Sequence, residues 1–343
     1  MTVSPQPASV RTLDTEPDTE PVLNKGGQGS ELVGRSPGQL MWRRFKRDRT
    51  GMVSAVVVLM FFVVGLLAPV ISWLYGKDPY TLYGQESLDL LDDFSFPTGK
   101  FGGMSGEHWF GIEPGLGRDI FIQLVYGIRN SLLIGLAVTA ATVVTGILVG
   151  VTAGYMGGKT DYWLGRLIDF LLAFPSTLFF VAFMPVVVAL FVSPEDETPT
   201  YVRVLALFLV LWFLGWMGLA RLMRGETLSL REREFIEAAK VSGAPPWRII
   251  RKELLPNLVT PILVQSTYML PAAVTAEAGL SFLGVGLLEP TPDWGRMFAL
   301  AGKVYENDPT YMFFPGVAMV IFVVCFNLLG DSLRDAFDPK AGR

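Results

Sequence analysis

Between two strongly apolar stretches lies the segment Phe235–Pro256, FIEAAKVSGAPPWRIIRKELLP, whose residue types and spacing suit recognition rather than bond making. Ser229–Val241 is rich in Glu, Arg and Ala and favours a helix, with Phe235, Ile236 and Ala239 as an apolar stripe. Gly243, directly after Ser242, is placed to end that helix, because glycine accepts the left-handed conformation past a C-cap. Pro245-Pro246 suits the first turn of a second helix, where a missing N–H costs nothing. In that helix Trp247, Ile250 and Leu254 fall at i, i+3 and i+7, and Leu255-Pro256 leads into the next apolar run. The small residues Ala238, Ala239 and Gly243, beside Glu237, let another surface approach the backbone, as a helix seated in a partner's groove requires. The plainer alternative is an amphipathic loop resting on lipid.

The other reactive side chains are scattered. Glu277 is the one acid well inside the apolar run around it. Intramembrane acids face a bundle interior or a water-filled cavity, so Glu277 is a candidate pathway or gating residue, or a structural hydrogen-bonding group near a span's outer end. Asp169 is expected to pair with Arg166 one turn earlier, and Arg118 either to pair with its neighbour Asp119 at a helix start or, with it, to contact an external protein. One Cys (Cys325) and one His (His108, read as a loop contact) make neither an internal disulfide nor a usual His/Cys metal site. No G-x-x-x-x-G-K-[ST] loop occurs; Gly99-Lys100 lacks the upstream glycine that a phosphate cradle needs. ATP hydrolysis is therefore expected on another polypeptide. With no carboxylate pair and no Ser/His/Asp set, the chain reads as non-enzymatic, with no cofactor and no metal.

The elements that must position these residues are long apolar helices. Six runs carry no charged residue: Met52–Gly76, Asn130–Gly158, Phe170–Pro194, Val204–Ala220, Leu254–Ala276 and Pro309–Gly330. About 20 apolar residues cross a bilayer as a helix, and helices satisfy their own backbone groups there. The fold class is all-α, a polytopic membrane protein with spans near 52–75, 130–157, 168–192, 203–221, 257–287 and 310–330. Placing both termini in the cytoplasm puts 18 of the 28 basic residues beside the spans on that side, as the positive-inside rule favours. Residues 1–38 have a disordered composition, 39–51 form a basic juxtamembrane segment, 76–129 an outside loop and 222–256 the cytoplasmic insert. Within the outside loop, Leu116–Gly127 reads as a short amphipathic helix. Trp163, Trp212, Trp216 and Tyr311 are expected at the membrane interface, and Pro175 and Pro271 are expected to kink their helices. The lipid bilayer is the surrounding partner, and nucleic acid is not expected.

The pattern Glu237-Ala238-Ala239-x3-Gly243-x11-Leu255-Pro256 resembles the EAA motif of membrane subunits of ABC importers. Glu253 departs from it, standing where the motif carries an Ile. Leu116-Gly117-Arg118-Asp119, Leu172-Ala173-Phe174-Pro175-Ser176, Ala276–Gly286 and Pro290-Thr291-Pro292-Asp293-Trp294-Gly295 are similar to the dipeptide/oligopeptide permeases, the second permease subunit (DppC/OppC type) in particular. The similarity runs from about Trp42 to the C-terminus and leaves Leu82–Gly106 divergent. This resemblance implies a type I importer permease in a bacterial cell membrane, forming half of a translocation pathway. It implies as partners a homologous second permease subunit, two cytoplasmic ABC ATPase subunits and an extracytoplasmic peptide-binding protein. Glu237, Ala238, Ala239, Ser242, Gly243, Trp247, Leu255 and Pro256 would make the ATPase-coupling segment, and Glu277, Phe174 and Pro175 would lie on the pathway or gate. The alternatives are the same architecture importing another solute, such as a nickel complex, or an ion-driven secondary transporter, which would need more intramembrane ionisable groups.

Overall fold

A computed structural model describes residues 37–86, 89–193 and 195–337. The tail expected to be disordered therefore lies outside the described residues, except that Pro37 and Gly38 already belong to a helix. The described residues form helices and loops, with only isolated bridges such as Leu91 with Pro97 and Ile112 with Asp119. In chain order the helices are α1 (Pro37–Arg47), α2 (Arg49–Leu66), α3 (Ala68–Tyr75), α4 (Tyr83–Glu86), α5 (Ile120–Met156), α6 (Gly158–Leu172), α7 (Ser176–Ala189), α8 (Thr200–Gly215), α9 (Met217–Arg231), α10 (Glu234–Val241), α11 (Pro246–Ile249), α12 (Leu255–Phe282), α13 (Trp294–Val304) and α14 (Thr310–Phe337). A single π turn, Ile250–Leu254, joins α11 to α12.

Five helices are long and apolar enough to cross a membrane: Arg49–Leu66, Ile120–Met156, Thr200–Arg231, Pro246–Phe282 and Thr310–Phe337. The pair α6 and α7, bent by 89°, makes a sixth if taken as one span. The break covers Ala173–Pro175, with Pro175 as the N-cap of α7. The ring of Pro175 removes a backbone donor, so the expected kink here is a complete interruption. Pro271, by contrast, sits within continuous α12. Span two also starts earlier than its uncharged run. The amphipathic turns expected to lead into span two are continuous with it in α5, which Asp119 caps by accepting the Ile122 N–H at 3.0 Å.

α5 is the central post, packed against α2, α8, α9 and α12. Its approach to α9 is set by Gly146, Gly150 and Gly154, a small-residue stripe at every fourth position. A Cβ on Gly150 would stand 2.4 Å from the Ala220 carbonyl oxygen, and one on Gly154 2.8 Å from that of Arg224. Without side chains the two backbones pack closely and gain dispersion contacts, the main attraction between helices in lipid. That spacing stands in the sequence as G-x-x-x-G-x-x-x-G.

Two ends of the bundle can be told apart. At one, here called the loop end, the 76–119 and 283–293 loops meet the starts of α5, α13 and α14. At the other, the elbow end, α10 and α11 fold across the feet of α5, α9 and α12. Of the four aromatics expected at the membrane interface, three are covered to differing degrees by this chain. Tyr311 is buried in the core beside Phe322, Trp216 is buried beside Ile168, and half-buried Trp212 donates its indole N–H to Thr145 Oγ1 at 3.0 Å. Only Trp163 of the four is broadly exposed.

Candidate functional site

The elbow is built around one turn. α10 ends at Val241, Gly243 takes φ +74°, its N–H bonds to Lys240 O and the Ala244 N–H bonds to Ala239 O. This is the paired C-terminal closure that a left-handed residue permits, and the Ser242 hydroxyl adds a bond to Ala238 O at 2.8 Å. Pro245 then caps α11 and Pro246 opens it. The expected single helix over Ser229–Val241 is divided instead, since α9 stops at Arg231 and α10 restarts at Glu234.

The elbow's inner face is anchored by Ile236, Ile249, Leu254 and Leu258, which pack on Val151, Leu219 and Met223. Ala239 and Leu255 are half-buried at the margin of that cluster. Glu237, Ala238, Ser242, Gly243 and Pro256 face outward, with Phe235 and Val241, and Trp247 is 65% exposed. Trp247 therefore does not share the inner face with Leu254, contrary to the spacing argument. The π turn has i to i+5 bonding, so Ile249 and Leu254, five apart, take that face. A methyl group on Gly243 would meet nothing of this chain within 4 Å. The outer surface at this turn is thus uncovered by the chain itself.

A groove of about 530 Å³ opens between α7, α12 and α14, walled mostly by apolar side chains with the hydroxyls of Ser176, Thr177 and Thr275 and the amide of Asn327. Phe174 and Pro175 sit beside it at the α6–α7 break. Phe174 is exposed and edge-on to Phe170 and Phe179. Glu277 does not reach this groove. It is buried on the other side of α12, where its Oε1 accepts from the Ser281 hydroxyl at 3.2 Å and its Oε2 has no partner.

At the loop end the structure assembles charges that the sequence kept apart. Arg118 and Asp119 do not pair with each other. Arg118, 1% exposed, grips Glu113 through Nε and Nη2 and reaches Glu289 at 2.6 and 2.9 Å. Arg296 joins Glu289 and Gln123, and Tyr311 donates to Glu113 at 3.3 Å. Burial opposes charge on Arg118, but the bonds to Glu289 and Glu113 outweigh it and raise its pKa. Glu289 is pushed up by partial burial and pulled further down by Arg118 and Arg296, so its carboxyl ends below the ordinary range. Asp119 instead accepts from Tyr75 at 2.9 Å and lies 2.8 Å from His108, which makes the expected loop contact in a buried setting. Asp169 pairs with Arg221 on α9, not with Arg166. Among the described residues no group of three or more His, Cys, Asp or Glu could hold a metal.

The family described as "Binding-protein-dependent transport system inner membrane component" matches residues 146–343. The chain belongs to this family. The permease also matches the N-terminal TM domain of oligopeptide transport permease C over residues 36–92. It is 34% identical over 310 residues to the oligopeptide transport system permease protein OppC of Haemophilus influenzae, covering 90% of this chain and 91% of that one. Two dipeptide transport system permease proteins DppC are similar: that of Alkalihalophilus pseudofirmus at 31% over 331 residues (96% and 99% of the chains), and that of Bacillus subtilis at 35% over 304 (88% and 85%). Among solved structures, the inward-facing MetNI methionine ABC transporter shares its fold at TM-score 0.51 and 22% identity, over 63% of the permease and 96% of that chain. The all-α fold of a type I importer permease is thus established. The expected motif frame falls on the elbow, and the Ala276–Gly295 elements fall on the end of α12, the loop after it and the start of α13.

Proposed function

We propose that this permease is the non-catalytic transmembrane half of an ATP-driven importer of dipeptides or oligopeptides, with its elbow seated in a groove of a cytoplasmic ATPase. The observation that carries the reading is the elbow itself. Its inner face is satisfied by the bundle, while Glu237, Ala238, Ser242, Gly243 and Trp247 are presented outward with nothing of their own chain to cover them. A glycine closure on α10 followed at once by a proline start on α11 makes a stiff corner that can transmit a push. α12 runs on from the elbow through the π turn to the groove wall at Pro271 and Thr275, so movement of the elbow carries α12 with it.

The rest of the assembly follows from the family. A homologous permease supplies the facing half of the pathway, a second ATPase drives it, and an extracytoplasmic peptide-binding protein delivers cargo to the loop end. The elbow end, with both termini, lies in the cytoplasm, in line with the basic residues around it. The groove wall, with hydroxyls and an amide but no charged side chain, suits cargo whose side chains vary and whose backbone is constant. Phe174 and Pro175 stand at the break where the bent span can open or close, and Glu277 acts from within the bundle.

Two measurements test this. Cysteines at Ala239 and Ser242 are expected to crosslink to an ATP-hydrolysing chain in the native complex; crosslinks to lipid alone overturn the coupling role. A deletion strain is expected to lose uptake of labelled di- or oligopeptides; intact peptide uptake with loss of another solute overturns the substrate class.

A further inference from the structure

A second cavity, polar and of about 520 Å³, lies at the elbow end between α6 and α9. Three guanidiniums, Arg166, Arg221 and Arg224, enter it with two carboxylates, Asp161 and Asp169. Arg224 is fully engaged, gripping both oxygens of Asp161 through Nε and Nη2. Arg221 spends one nitrogen on Asp169 in a pair that is more than half exposed on both sides. Arg166 has no carboxylate partner among the described residues; it lies over the Tyr162 ring at 5.5 Å. The cavity therefore holds one cation in excess and most of the ten N–H donors of Arg166 and Arg221 unspent. Its floor is low, because Gly158 has open space where a Cβ would sit and Gly165 has only the Arg224 guanidinium, at 3.9 Å.

The depth of the cavity is fixed by the chain. α5 and α6 reverse direction at Gly157-Gly158, so the first turns of α6 lie where a span enters the bilayer. The neighbouring face of α6 continues the site in apolar form. Trp163, Leu167 and Phe170, at i, i+4 and i+7, are all exposed and continue along α6 away from the turn. A positively charged cavity at headgroup depth, with an apolar strip leading on from it, matches the two ends of one kind of molecule.

We propose that this cavity binds the phosphodiester of an anionic glycerophospholipid, with Arg166 and Arg221 on the phosphate and an acyl chain along Trp163, Leu167 and Phe170. Arginine suits this role because its planar fork matches phosphate oxygens. Asp169 competes with the phosphate for Arg221 and tempers the affinity. The bound lipid would brace α6 against α9 beside the bent span. The inference does not depend on the cargo or on the ATPase contact, since it uses neither the groove nor the elbow.

The test uses the complete importer, purified and exchanged into mixed micelles of phosphatidylglycerol or phosphatidylcholine, with retained lipid counted by native mass spectrometry. The wild type is expected to retain phosphatidylglycerol preferentially. Arg166→Gln and Arg221→Gln should each weaken that retention about fivefold, the usual worth of one basic group at an anionic surface. Asp169→Asn should strengthen it, a change of opposite sign that misfolding would not produce. Equal retention of both lipids, or unchanged retention in all three variants, overturns the proposal. So does displacement of the lipid by millimolar inorganic phosphate, which would make the cavity an anion site with no membrane component.

Discussion

The loop end and the elbow end use charged and apolar groups in opposite ways. At the loop end, Arg118 is withdrawn from water and finds two carboxylates of its own chain, one of them 171 residues away. At the elbow end, Trp247 and Val241 stand in the open although both are apolar. A buried guanidinium is tolerable only if its partners are in place, so this charge cluster is complete within the chain and ties the 111–119 loop to the 283–293 loop. The exposed apolar side chains beside the Gly243 turn are what the proposed ATPase contact would cover. One chain thus carries a self-sufficient clasp at one end of α12 and an open joint at the other.

Removing the clasp's central cation should give the largest effect. Arg118→Met leaves Glu113 buried without its main partner, a change that costs about 3–5 kcal/mol in comparable sites. The expected outcome is a large fall in the thermal midpoint of the purified complex, or loss of the protein from the membrane. Arg118→Met combined with Glu113→Leu should recover part of that loss, because both charges then disappear together. A double variant no better than the single one would show that the clasp is held by packing and not by charge.

Next in size is the post that joins the two ends. Gly150→Val would place side-chain atoms where the Ala220 carbonyl oxygen already stands, since even a Cβ would be 2.4 Å from it. Overpacking of this kind costs about 1–3 kcal/mol. α5 and α9 must part, and the elbow, which rests on the feet of both, should lose its seat. Uptake is therefore expected to fall more steeply than thermal stability. Equal falls in both would argue that the elbow does not depend on the α5–α9 spacing.

Much of this contrast could be read in advance, for different reasons at the two ends. The elbow is local: helix propensity, a glycine stop and a proline restart lie within 22 residues, Phe235 to Pro256, and each acts on its neighbours. The spans were equally legible, since a run without charge has few other uses. What failed were inferences that required a distant partner. Asp169 sits one turn from Arg166, yet Arg221, 52 residues on, takes it. Arg118 is adjacent to Asp119, yet the capping role of Asp119 turns its carboxylate toward the α5 N-terminus and away from Arg118. Tyr311 has an interface residue's composition but is covered once α13 packs against α14. The outward turn of Trp247 needed knowledge of a π turn, which no propensity in Ile250–Leu254 announces.

The open joint is tested by a substitution that leaves the backbone alone. Asparagine tolerates the left-handed conformation better than other side-chain-bearing residues, so Gly243→Asn should preserve the turn at φ +74°. Its side chain points into space that this chain does not fill. Thermal stability should change by less than about 1 kcal/mol, while uptake and ATPase co-purification should fall about tenfold, equivalent to roughly 1.4 kcal/mol of lost contact. Gly243→Asp should behave alike or worse. Full uptake by both variants would remove the joint from the comparison and leave only the clasp.

The smallest effect is a matter of pH, and it separates two carboxylates of the same loop. Glu289 has its carboxyl held below the ordinary range, where the bonds from Arg118 and Arg296 overcome partial burial. Its contribution is present above the unfolded-state value and is lost as pH falls through the lowered one. Asp293, the cap of α13, is pushed the other way, to about 6, chiefly by burial. A raised acid favours the folded state while protonated, so its contribution fades as pH rises toward 6. Asp293→Asn keeps an oxygen for the Arg296 N–H, which the carboxylate accepts at 2.7 Å, but cannot titrate. Between pH 4 and 6 the wild type should lose some stability as pH rises, and Asp293→Asn should lose less. Below pH 4 the two should fall together, because Glu289 is unchanged in both. If the variant instead keeps the wild-type slope between pH 4 and 6, the clasp titrates through its exposed partner alone, and the buried cap is a structural bond without a proton of its own.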